Sequence, residues 1–247
     1  MSAARQGEGT PASAQVVFLL DVDNTLLDGD RIVADLRGHL ESAFGTRAQR
    51  YWTIFDALRG ELGYVDYLGA LQRYRSEIEP GSPDEQRLLL MSGFLLDYPF
   101  AARLYPRALD AIRHLGRFGQ TVILTDGDVV LQPRKLQRSG LWDAVDGRVL
   151  IYIHKERMLD AVRHRYPARH YVMVDDKPPI LAAMKAIWRD GLTTILARQG
   201  HYALDPALAA AHPMADFTVE HIGELADTDL SPLLQRPTHR AVSAQEM

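Results

Sequence analysis

The sequence predicts an α/β fold built on a parallel sheet, with a block of helices inserted after its first strand. Three observations carry this. Short, continuously apolar, β-branched runs such as "QVVFLL" (15–20) suit strands buried on both faces. From Tyr105 onward such runs alternate with helical patterns, the arrangement of βαβ units with right-handed crossovers. Between the first run and this alternation, residues 29–98 show helical periodicity and no strand pattern.

Each element has its own signal. In "DRIVADLRGHLESAFG", Ile32, Val33, Leu36, Leu40 and Phe44 fall at helical spacing. Tyr51, Ile54, Phe55, Leu58 and Leu62 repeat the pattern in "RAQRYWTIFDALRGELG". A third helix is expected across "YVDYLGALQRYRSEIE", closed by the Pro80–Gly81 turn signal. A fourth starts at Ser82, with Pro83 in the first helical position and acids in the first turn. A helix from Pro106 to the glycines 116 and 119 follows. Strands "QTVILT", "RVLIYIH", "HYVMVDD" and "LTTILAR" then alternate with helices "VVLQPRKLQRSG", "KERMLDAVRHRY" and "PPILAAMKAIWRDG". "DFTVE" adds a short last strand. The expected architecture is a Rossmann-like parallel sheet sandwiched by helices, with an inserted all-helical cap domain. Residues 15–28 and 99–225 form the discontinuous core, 29–98 the cap, and 1–14 and 226–247 flexible tails.

Bulk properties narrow the function. A chain of 247 residues that is 47% hydrophobic suffices for a core domain and a smaller second one. A net charge of −4 argues against a nucleic-acid partner. With no cysteine, disulfides, thiolate metal sites and cysteine nucleophiles are excluded. No apolar run approaches a membrane span, and the first 14 residues lack a signal-peptide core, so a cytoplasmic protein with no membrane partner is expected. Nothing in the sequence indicates an oligomeric state. Of the 28 basic residues only Lys135, Lys155, Lys177 and Lys185 are lysines, so a lysine in this arginine-rich chain asks for a reason.

The chemistry gathers at the strand ends. The first strand ends in Asp21 and Asp23, the second in Thr125 followed by Asp126-Gly127-Asp128, the third in His154-Lys155, and the fourth in Asp175-Asp176-Lys177. In open α/β sheets ligands bind beyond the carboxyl ends of the strands, so a helical block inserted there sits over the site. Carboxylates crowded into one cleft raise one another's pKa, and a hard cation such as Mg²⁺ relieves this. A lysine and a hydroxyl beside it suit the oxygens of a phosphoryl group.

"DVDNT" (21–25), Thr125, Lys155 and "VDDK" (174–177) together resemble the four motifs of the haloacid dehalogenase-like hydrolase superfamily, in order and each at a strand end. The helical block between the first two motifs resembles that superfamily's C1 caps. The resemblance implies a hydrolase acting on a small soluble phosphate monoester through an aspartyl-phosphate. It implies that Asp21 is the nucleophile and Asp23 the general acid and then base. Thr125 and Lys155 would hold the transferring phosphoryl group. Mg²⁺ would lie on Asp21, the backbone carbonyl of Asp23, and Asp175, Asp176 or both. Dehalogenases of the superfamily resemble this motif at the nucleophile but lack the second aspartate. An alkyl-halide displacement needs no acid for its leaving group, so Asp23 favours phosphoryl transfer. Phosphomutases share the core motifs, and a non-catalytic phosphate-binding protein would share the fold.

The surrounding residues have plainer readings. Asn24 and Thr25 are expected to shape the turn, Asp128 to cap the next helix, and His154 to be structural. Asp126 is divided between a turn and a site-edge role, and Lys177 between pairing a site carboxylate and occupying a turn. Lys135, inside a helical pattern, is expected on a solvated face. The cap's aromatics (Tyr51, Trp52, Phe55, Tyr64, Tyr67, Tyr74) and arginines (47, 50, 59, 73, 75) are expected mainly to pack and to solvate its helices.

Overall fold

In a computed structural model of the chain, which describes residues 14–230, the alternation of strands and helices follows the expected order. Strand β1 (Ala14–Leu20) leads into four helices, α1 (Gly29–Phe44), α2 (Ala48–Leu62), α3 (Tyr67–Arg75) and α4 (Pro83–Asp97). Then come α5 (Ala108–Leu115), β2 (Gln120–Asp126), α6 (Leu131–Ser139), α7 (Leu141–Ala144), β3 (Val149–Tyr152) and α8 (Leu159–Arg165). The last part comprises β4 (Ala168–Asp175), α9 (Pro178–Trp188), β5 (Leu192–Ala197), α10 (Gly200–Leu204), α11 (Pro206–Ala211) and β6 (Phe217–Val219).

The strands form one parallel sheet in the order β3-β2-β1-β4-β5-β6. β1 lies at its centre and explains the continuous apolar run. Successive side chains of a strand point to opposite faces, and here both faces are covered. Val16, Phe18 and Leu20 join the core that includes Ala111, Ile112 and Leu115 of α5. Val17 and Leu19 join the core on the other face, with Val162 of α8 and Leu181 and Met184 of α9. Leu20 lies beside Ile123 of β2 and Val174 of β4 in register, so the three strands reach the same edge together.

The helices α1–α4 bury their apolar stripes against one another in a third cluster, including Leu36, Leu40, Tyr51, Phe55, Leu71 and Met91. Leu131 of α6 belongs to the same cluster, and Arg134 of α6 donates to the Leu96 carbonyl. These contacts dock the block beside the sheet edge where β2 ends. Its arginines pair mostly within it, Arg50 with Glu77, Arg73 with Glu61 and Arg47 with Asp84.

Several boundaries differ from expectation. Ala14 opens β1 rather than closing a tail, pairing with Ala168. At the other end the chain stays on the core beyond residue 226. Leu230 is fully buried, Arg107 pairs with Asp227, and the His114 ring contacts the Thr228 carbonyl. The expected tails at 1–13 and 231–247 lie outside the described residues. The helix expected over 155–166 is split into a 3₁₀ turn, Lys155–Arg157, and α8. That turn follows His154, whose φ of 61° is left-handed, and it carries Lys155 inward rather than along a helix face.

Candidate active site

The turn after β1 builds the site. Asp21 extends the ladder by one bond, its N–H donating to the Val174 carbonyl at 3.0 Å. The chain then folds back, with the N–H groups of Leu26 and Leu27 both donating to the Val22 carbonyl. Asn24, the chain's single asparagine, takes a left-handed φ of 61°, which Asn tolerates better than most residues. Its side chain accepts from the Asp30 N–H and donates to the Asp30 carboxylate, tying the turn to the start of α1. This bend lets Asp21 and Asp23, two residues apart, face different partners.

Asp21 is 2% exposed. One of its oxygens accepts from the Lys155 ammonium, and the other accepts from the Thr25 hydroxyl at 3.2 Å. Thr25 therefore does more than shape the turn. Burial pushes the Asp21 carboxyl above the usual range, and Asp175 adds to the rise against the opposing pull of Lys155 and Lys177. Lys155 is fully buried, and its Nζ also lies 2.7 Å from Asp175 Oδ2. Burial alone would lower the Lys155 pKa, but Asp175, Asp21 and Asp126 outweigh it and hold the ammonium charged. The Asp126 carboxylate accepts the Lys155 N–H at 2.8 Å, so Asp126 serves the site by fixing the turn that delivers Lys155.

Asp23 has a different environment. A third of its side chain remains open, and it lines a cavity of about 520 Å³. Here the expectation for Lys135 is overturned. Lys135 is 5% exposed, and its Nζ donates to both Asp23 oxygens, at 2.6 and 2.8 Å. Docking of α6 against both the sheet edge and the helical block takes this residue out of solvent. One turn earlier on the same helix face, Gln132 donates to Asp23 at 3.2 Å and to the Thr125 hydroxyl at 3.1 Å. Sequence reasoning missed Gln132. Its signal was its position three residues before a rare lysine. Burial would raise the Asp23 carboxyl, but Lys135 and Gln132 overcome it and hold the group below the usual range.

Asp175 and Asp176 are both fully buried. Asp175 accepts the Lys177 N–H at 2.9 Å. Asp176 has no hydrogen-bond partner on either oxygen among the described residues. Burial, and then Asp175 and Asp21, push its carboxyl up to about 9. A buried carboxylate left unpartnered is costly, and one oxygen each from Asp21, Asp175 and Asp176 lie within 4.8 Å of one another. An all-oxygen set of this kind fits a hard divalent cation.

Thus Asp21, Lys155, Asp175 and Asp176 gather in one buried cluster, and Asp23 and Thr125 are linked to each other through Gln132. Lys177 lies near this cluster, its backbone N–H on Asp175 and its Nζ 5.2 Å from the centre of the Tyr202 ring, and among the described residues its ammonium donates to no site carboxylate. Asp128 accepts from the N–H groups of Val130 and Leu131, the expected helix cap. Of the cap's aromatics, Tyr51, Trp52, Phe55 and Tyr74 are buried in its own core, and Phe55, Tyr64 and Tyr67 line the cavity together with Arg59. No helix among the described residues is long and apolar enough to cross a membrane.

Comparison with known proteins gives the family and the fold. A family model described as a haloacid dehalogenase-like hydrolase matches residues 16–187. A crystal structure from Burkholderia xenovorans LB400, assigned to the haloacid dehalogenase-like hydrolases, is 65% identical, with a TM-score of 0.80 over 87% of this chain and 99% of its own. Two others share the fold. A magnesium-bound HAD-hydrolase from Bacillus subtilis is 18% identical, with a TM-score of 0.57 over 85% of this chain and 96% of its own. The L-2-haloacid dehalogenase of Xanthobacter autotrophicus is 19% identical, with a TM-score of 0.55 over the same shares. No curated protein matches the chain in sequence.

Proposed function

The chain belongs to the haloacid dehalogenase-like hydrolase family, and from that premise we propose that it is a Mg²⁺-dependent phosphatase of a small soluble phosphate monoester. The observation that carries this reading is the placement of Asp23 at the cavity, two residues after the buried Asp21 and on separate partners. A phosphate ester needs a proton donor for its departing alkoxide, which an alkyl halide does not.

In the proposed reaction an Asp21 oxygen attacks phosphorus and the ester P–O bond breaks. The departing oxygen takes a proton from Asp23. Asp23, now a carboxylate, removes a proton from water as that water attacks the aspartyl-phosphate. Inorganic phosphate leaves and Asp21 is regenerated. Two displacements replace one harder one. Lys155 and the Thr125 hydroxyl hold the phosphoryl oxygens, and Lys155 offsets the repulsion among Asp21, Asp175 and Asp126. Asp21, Asp175 and Asp176, with the Asp23 carbonyl, would hold Mg²⁺. The unpartnered oxygens of Asp176 favour it as a direct ligand. When bound, the ion supplies positive charge that offsets the carboxylates and the phosphoryl oxygens. The helices α1–α4 act as the cap that limits access to the cavity.

The test is hydrolysis of para-nitrophenyl phosphate with and without Mg²⁺, on wild type and Asp21→Asn together. Metal-dependent turnover that falls to background in the variant is expected. Chloride release from 2-chloropropionate, with no ester cleaved, would move the chain to the alkyl-halide branch. If nothing turns over, a beryllium fluoride adduct on Asp21 separates a selective phosphatase from a protein that only binds.

A further inference from the structure

The cavity at Asp23 has two chemically unlike linings. The sheet edge and α6 contribute charged and polar groups, namely Asp23, Asp126, Gln132, Lys135 and Lys177. The helical block contributes a hydrocarbon face, with Asp30, Arg59, Tyr64 and Tyr67 as its polar members. From α1 come Ile32, Val33 and Leu36, from α4 Phe94 and Leu95, and from the turn beyond it Phe100. Tyr98 lies among them, but its hydroxyl donates to Asp35 at 2.5 Å and accepts from Arg103 Nε at 2.7 Å. Neither Asp35 nor Arg103 lines the cavity, so this phenol offers the cavity its ring and not its hydroxyl. Two pairs of polar lining side chains engage each other as well. Arg59 donates to the Tyr202 hydroxyl, and His201 contacts Asp30.

A sugar, polyol or nucleoside brings several hydroxyls, and each one buried without a partner is penalised. The face formed by Ile32, Val33, Leu36, Phe94, Leu95 and Phe100 provides no donor or acceptor side chain to meet them; Asp30, Arg59, Tyr64 and Tyr67 stand elsewhere in the lining. An alkyl or aryl group gains from the same surface. We infer that the alcohol released by this enzyme is apolar, seated against α1 and α4 while the phosphoryl group lies at Asp21, an inference that rests on the phosphoryl-transfer reading of the site. Val33 is then a specificity-determining residue, half-buried and facing the alcohol.

The experiment has two arms on the full chain in Mg²⁺ buffer. Calorimetry measures the binding of non-hydrolysable alkylphosphonates from methyl to hexyl. Kinetics measures hydrolysis of the matching alkyl phosphates beside glucose 6-phosphate and glycerol 3-phosphate. The longer alkyl alcohols differ little in acidity, so their trend reports contact rather than leaving-group chemistry. Affinity and kcat/KM are expected to rise about fourfold per methylene. Val33→Thr, which keeps the shape and adds a hydroxyl, should lower the hexyl-to-methyl affinity ratio several-fold. Chain-independent affinity, or preference for the sugar or polyol ester, overturns the inference. Chain-dependent binding with no ester cleaved overturns the phosphatase reading and leaves the apolar pocket standing. Cleavage without chain dependence does the reverse, and absence of any phosphonate binding overturns both.

Discussion

The Lys135 ammonium lies 2.6 and 2.8 Å from the two oxygens of Asp23, joining α6 to the turn after β1. The pair keeps Asp23 ionised against its own burial. That is the form a base requires and the opposite of the form an acid requires. The lysine thereby sets the pH range over which Asp23 serves in both halves of the proposed reaction.

Lys135→Met should therefore move the pH profile rather than merely lower it. Without the cation, burial raises the Asp23 pKa, so protonated Asp23 persists to higher pH. The alkaline limb of kcat/KM is expected to shift to higher pH, because the opposite charge that holds the Asp23 carboxyl down is gone. A full pH–rate profile of wild type and variant measures this. An unmoved profile at a lower rate would mean that Lys135 acts on substrate directly.

Lys155→Met should cost stability as well as activity. Lys155 is fully buried against Asp21 and Asp175, and its loss leaves those carboxylates facing Asp176 with no adjacent cation inside the cluster. Breaking a buried pair from one side costs about 3–5 kcal/mol. Denaturant unfolding at neutral pH without Mg²⁺ should show a loss of that order, and Mg²⁺ should recover part of it. An unchanged midpoint would mean that the carboxylates shed their charge in the native state.

What the sequence made legible was what depends on near neighbours. The β1 run reads as doubly buried because every residue from Val16 to Leu20 is apolar, and the aspartates mark where it meets the edge. Lys135 was misplaced because its partner lies 112 residues away and a charged side chain in so polar a helix reads as solvated, although Leu131 and Leu136 mark the buried face it shares. Lysine scarcity carried the missing information. Of the four lysines, Lys135, Lys155 and Lys177 stand at one sheet edge, and Lys185 pairs with Asp216. The orphaned state of Asp176 was invisible for another reason. It depends on Lys155 and the Lys177 N–H both engaging Asp175, which only the folded turn decides.

Tyr202→Phe tests the contact between the helical block and the sheet edge. The Tyr202 hydroxyl accepts from Arg59 of α2 at 2.7 Å, while its ring faces Lys177. Phenylalanine keeps the ring and loses only the hydroxyl. The bond is solvent-exposed, so stability should change by less than about 1 kcal/mol. If the bond holds α2 over bound substrate, KM should rise about twofold to tenfold, the worth of one hydrogen bond. Thermal unfolding and steady-state kinetics separate the two effects, and a fall in stability with KM unchanged would make the contact structural only.

Asp176 links metal binding to pH. With its carboxyl pushed up to about 9 by burial, Asp175 and Asp21, the metal-free native state keeps a proton that the unfolded chain has released above pH ~4. Stability from this group is therefore full at low pH and is lost progressively as pH rises from about 4 to about 9. A cation in the cluster takes the place of that proton. The rise in Tm produced by Mg²⁺ should grow from pH 6 to pH 9, and apparent Mg²⁺ affinity should increase by up to about tenfold per pH unit over that range. Asp176→Asn carries no titrating group, so at pH 9 its metal-free form should be more stable than wild type, while its Mg²⁺-induced shift should shrink at every pH. Thermal unfolding of both proteins at pH 6, 7.5 and 9, with and without Mg²⁺, gives all four comparisons. A wild-type Mg²⁺ shift that is the same at all three values would remove Asp176 from the metal's direct ligands.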